Sequence, residues 1–83
     1  MNQFEKMMLA INVEKVLHEM YEDIDKANAK GITSLVFELQ GDNLVELAMS
    51  IDIALTKNKT IKHSEMEMSD GIASIYVTWE NDE

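Results

Sequence analysis

The sequence predicts an α+β domain: a long N-terminal helix, then strand, helix, strand and strand. Three strands are expected in one mixed sheet, with both helices on one face. Three observations lead there. Apolar residues recur at helical spacing from Leu9 to Ala27, between an Asn2…Glu5 capping pair and Gly31. Two runs that alternate apolar and polar residues flank Asp70-Gly71, a dipeptide favoured in two-residue type I′ hairpins. Finally, 46% hydrophobic residues in 83 positions suit one small domain and are too many for a disordered chain. The expected unit is therefore a single compact domain over residues 1–83.

The first helix is expected to end before Gly31, the C′ residue. Its pattern has a phase break. Leu9, Val13, Val16, Met20, Ile24 and Ala27 form one stripe, and Phe4, Met7, Met8 and Ile11 form another. At about 100° per residue the two stripes point to nearly opposite sides. Either the helix breaks near Asn12 and folds back over the core, or it continues with a second apolar face. No proline or glycine near Asn12 forces a break. Continuity is expected, and Phe4, Met7, Met8 and Ile11 then mark a contact between copies, most simply in a two-fold dimer.

Ile32 to Gln40 reads as a strand, with Leu35, Phe37 and Leu39 alternating against Ser34, Val36 and Glu38. Gly41-Asp42-Asn43 is a turn, and Asn43 with Glu46 is expected to cap a second helix running to about Lys57. That helix has a core stripe of Leu44, Leu47, Ala48, Ile51 and Leu55. Val45, Met49 and Ile53 occupy another side, a pattern of burial by more than one layer. In the hairpin, Ser69 opposite Ile72 sets the register. Met68 then faces Ala73, Met66 faces Ile75, Ser64 faces Val77 and Lys62 faces Trp79. On the other side Glu67 meets Ser74, Glu65 meets Tyr76 and His63 meets Thr78. A one-residue slip would destroy this sorting. The last strand is the most apolar and is expected at the centre of the sheet.

Composition removes several functions. There is no cysteine, so disulfide scaffolds, thiol catalysis and cysteine-ligated zinc are excluded. Sixteen acidic residues oppose seven lysines with no arginine, a net charge of −9, which argues against gripping nucleic acid through its phosphates. The apolar run Met7–Ile11 is too short to span a membrane or serve as a signal peptide, and Asn2 is no myristoylation acceptor. A cytoplasmic protein without membrane attachment is expected.

Chemistry-bearing patterns are few. Glu14, His18, Glu22 and Asp25 line one side of the first helix, and one histidine among acids is no catalytic set. His63, Glu65 and Glu67 share a strand face at about 6.6 Å spacing, far apart for one metal ion. Each of the three glycines belongs to a turn or cap, which leaves no phosphate-cradling loop. No catalytic residues, metal or cofactor are expected. The acids cluster instead, with Glu22 and Asp25 on the first helix and Glu65, Glu67, Glu80 and Asp82 in the last third. The leading expectation is a non-enzymatic, homo-oligomeric interaction module. It would inhibit a basic, nucleic-acid-handling partner by occupying its cleft. The alternative is an oligomer that binds a small molecule or nucleotide at a subunit interface. Its site would use Lys57, Lys62, His63 and Tyr76, with Trp79 as stacking surface.

Overall fold

The computed structural model describes residues 2–80. The elements follow the expected order: α1 (Gln3–Ala29), β1 (Ser34–Leu39), α2 (Leu44–Lys57), β2 (Ile61–Ser69) and β3 (Ile72–Trp79). Asp82 lies outside the described residues.

Helix α1 is unbroken through Asn12. Its start is a reciprocal cap. The Asn2 side-chain oxygen accepts from the Glu5 amide at 2.8 Å, and the Asn2 Nδ2 donates to Glu5 Oε1 at 3.3 Å. Its end is a Schellman turn, in which the amide of Ile32 reaches the Ala27 carbonyl and that of Gly31 the Asn28 carbonyl, each at 3.0 Å. Gly31 takes φ +80 there, a value open to glycine because it lacks a Cβ. At 1.5 Å per residue α1 is about 40 Å long, nearly the 45 Å longest dimension of the molecule.

The hairpin forms at the expected turn. Asp70 and Gly71 have φ +53 and +76, positive at both central positions as a type I′ turn requires. Every expected pair from Ser69–Ile72 up to His63–Thr78 is present. One expected pair is not: Trp79 lies opposite Ile61, and the register shifts between Ile61 and His63, so Lys62 occupies a bulge. The bulge lets Ile61, an apolar residue, pack towards the core while the lysine stays exposed.

Helix α2 begins differently from the capping expectation. Asn43 adopts a left-handed conformation (φ +55) and its side chain caps nothing. The turn from β1 consumes the asparagine's tolerance of positive φ, and only its carbonyl serves the helix, accepting from the Leu47 amide at 2.9 Å. Asn58 shapes the exit, accepting from the Thr60 amide at 2.9 Å and the Thr60 hydroxyl at 2.7 Å.

The sheet order is β1-β3-β2, with β3 central as its apolar content suggests. Both pairings are antiparallel, so the sheet is antiparallel throughout and not mixed. The reason is topological. The tight hairpin makes β2 and β3 antiparallel, and helix α2 returns the chain so that β1 and β2 run the same way. A β3 inserted between them opposes both. Ile75, Val77 and Trp79 of β3 meet Leu47, Ile51 and Leu55 of α2 and Met20, Ile24 and Ala27 of α1 in one core. Both helices therefore cover the same face of the sheet. Two polar links tie the layers: Ser64 Oγ donates to Asp52 Oδ1 at 2.8 Å, and Trp79 Nε1 to Asn28 Oδ1 at 3.2 Å.

A candidate protein-interaction surface on the open sheet face

Because both helices lie on one side, no other element among the described residues covers the opposite face of the sheet. Strand alternation decides what stands there. Register places three rows across β1, β3 and β2: Ser34–Thr78–His63, Val36–Tyr76–Glu65 and Glu38–Ser74–Glu67. Neighbours within a row have Cβ atoms about 4.5–5.5 Å apart. Three carboxylates thus surround a central tyrosine. Val36 is 61% exposed and Tyr76 40%, so an aliphatic and an aromatic side chain lie open amid the acids.

Between the lower two rows is a shallow depression of about 520 Å³, lined by Val36, Glu65, Met66, Glu67, Ser74 and Tyr76. His63 Nε2 lies 2.9 Å from Glu65 Oε1, both side chains being more than half exposed. Glu38 and Glu67 form no ion pair with a lysine among the described residues. Glu38 and Glu67 therefore add like charge to the face that no described lysine pairs with, while Glu65 has His63 beside it.

The remaining candidate residues are dispersed. Glu22 pairs with His18 on α1 at 2.9 Å. Asp25 and Glu80 border a separate depression of about 150 Å³ near Trp79. Lys62 meets Glu80 at the 4.0 Å limit of an ion pair and, with Lys59 and Thr60, lines a depression of about 390 Å³. Lys57, at the end of α2, does not line it, and Tyr76 and His63 belong to the open sheet face, so the four residues of the alternative ligand site do not converge. Trp79 is 5% exposed and hydrogen-bonded into the core, which corrects the expectation that it offers stacking surface. Among the described residues no three His, Asp or Glu side chains could hold one metal ion, and no helix is long and apolar enough to cross a membrane.

Phe4, Met7, Met8 and Ile11 are 69%, 59%, 43% and 56% exposed, opposite the stripe that packs inward. Val45, Met49 and Ile53 are about half exposed on α2. Glu38, Val36 and Ser74 carry no sequence motif that marks them as a site, although the alternation of Ser34, Val36 and Glu38 places the first two on one face. What was missing was the neighbour: β1 pairs with a strand more than thirty residues away. The chain matches no family model, and comparisons with curated proteins and with solved structures gave no match.

Proposed function

We propose that this protein is a non-enzymatic, self-associating interaction module whose acidic sheet face engages a basic surface of a partner protein. A surface that ordinarily handles nucleic acid is the fitting target, and occupying it would inhibit the partner. The observation that carries this reading is the grouping of Glu38, Glu65 and Glu67 on one uncovered sheet face. A net charge of −9 on 83 residues supplies the long-range field. Complementary charge acts mainly by accelerating encounter and excluding wrong partners, and exposed pairs contribute modest affinity. Self-association through the outer stripe of α1 would display two such faces on one assembly.

The small-molecule reading has less support, since Lys57, Lys62, His63 and Tyr76 do not converge. The two separate in one set of measurements. A partner is captured from lysate at low salt, and its association is then followed by stopped flow as salt rises to physiological strength. The association rate is expected to fall steeply, since screening shortens to about 8 Å near 0.15 M. The triple substitution Glu38→Gln, Glu65→Gln, Glu67→Gln is expected to slow association while the far-ultraviolet spectrum is unchanged. A nucleotide at one hundred times its Kd stabilises a fold by about 2.7 kcal/mol. Such stabilisation, with no basic protein captured, would refute the module.

A further inference from the structure

We infer that the depression beside Tyr76 is a seat for an arginine side chain of the basic partner. This rests on the acidic-module reading and adds the chemistry of the residue recognised. Tyr76 stands in the central strand, flanked in its row by Val36 and Glu65, with Ser74 next along its own strand. Tyr76 is 40% exposed and, with Ser74, lines a depression of about 520 Å³. Glu67 lines that space, and Glu38 stands across Ser74 from it.

A cation entering it meets an aromatic face and carboxylates together. Electrostatics favour positive charge over the ring and beside the acids alike, so the two attractions act on the same group. The apolar neighbours then discriminate between cations. An ammonium is a compact, strongly hydrated point charge. A guanidinium is planar and weakly hydrated, stacks on an aromatic face and forks a carboxylate with two donors. Its methylene stem would lie along Val36, covering apolar surface that is 61% exposed. Glu65 is already engaged by His63 through Oε1, which leaves Glu67 as the principal anion and Tyr76 as the platform. The chain has no arginine, so none of its own side chains offers the same planar fork.

The test uses the full chain, labelled with ¹⁵N, and two peptides of equal length and charge, one alternating arginine with glycine and one lysine with glycine. Titrations are run at low salt. The arginine peptide is expected to bind about fivefold more tightly, the scale of one exposed cation–π contact. Amide shifts should concentrate at Val36, Glu65, Glu67, Ser74 and Tyr76. Tyr76→Ala should bring the arginine peptide down to the lysine level, Tyr76→Phe should keep the preference, and Glu67→Gln should weaken both peptides. Far-ultraviolet spectra establish that each variant is folded, and Tyr76→Phe keeps the test valid if the alanine variant is not. Equal binding of the two peptides, an arginine preference that survives Tyr76→Ala, or shifts centred on His18 and Glu22 would overturn the arginine seat and leave the acidic module standing. Failure of both peptides to bind at low salt would overturn both.

Discussion

Helix α2 carries two isoleucines two positions apart in very different surroundings: Ile51 is 0% exposed and Ile53 is 52% exposed. Replacing each by alanine turns that contrast into a measurement. The change gains a few tenths of a kcal/mol of helix propensity at either site, so propensity cancels in the comparison. At Ile51 three carbons leave the core, about 2.4 kcal/mol at 0.8 per methylene, and the cavity left among Leu47, Leu55, Ile75 and Val77 raises the cost to about 3–4 kcal/mol. At Ile53 about half the transfer free energy is at stake and the space opens to solvent, so the net loss is about 0.5–1 kcal/mol. A domain of this size has roughly 4–12 kcal/mol of stability. Ile51→Ala should therefore lower the Tm by about 12–30 °C, and Ile53→Ala by less than about 8 °C. Urea titrations followed by circular dichroism, with the m-value held common, give both numbers. A loss at Ile53 comparable to that at Ile51 would place Ile53 beneath another layer. A loss below about 1 kcal/mol at Ile51 would refute the packing of α2 on the sheet.

Light scattering at micromolar concentration should find an oligomer, most simply a dimer, and Met8→Glu with Ile11→Glu should give a folded monomer. A monomeric wild type would refute the α1 contact. In the hairpin, Gly71→Val should cost about 1–3 kcal/mol, since φ +76 strains a β-branched residue. Glu67→Gln on the open face should change stability by less than about 0.5 kcal/mol. Thermal melts that rank these two the other way would refute the type I′ turn.

Much of the fold was legible because its determinants are local. The Asn2 cap, the Gly31 terminus and the Asp70-Gly71 turn each act over a few residues, and alternation across that turn dictated the pairing from Ser69 up to His63. The absence of a helix breaker near Asn12 was enough to foresee an unbroken α1. Where local signals competed, tertiary demands prevailed. Asn43 resembles a side-chain cap, yet the chain reversal after β1 needs its left-handed backbone. Lys62 follows the alternation by count, yet placing Ile61 against the core required a bulge.

By itself the sequence determined the element order, the inward stripes of both helices, the hairpin register, and an acidic chain without cysteine or arginine. Each depends on residue type and short-range spacing. Tertiary structure alone decided that the sheet is antiparallel, because strand direction follows from where β1 docks on β3, a pairing between distant segments that no local pattern encodes. The same docking brings Glu38 and Val36 beside Ser74 and Tyr76, and with them the candidate site. It also sorts the acids, grouping Glu38, Glu65 and Glu67 on the open sheet face while Glu22, Asp25 and Glu80 lie elsewhere. Charge counts are additive along a chain, but the field at a surface depends on which side chains the fold makes neighbours.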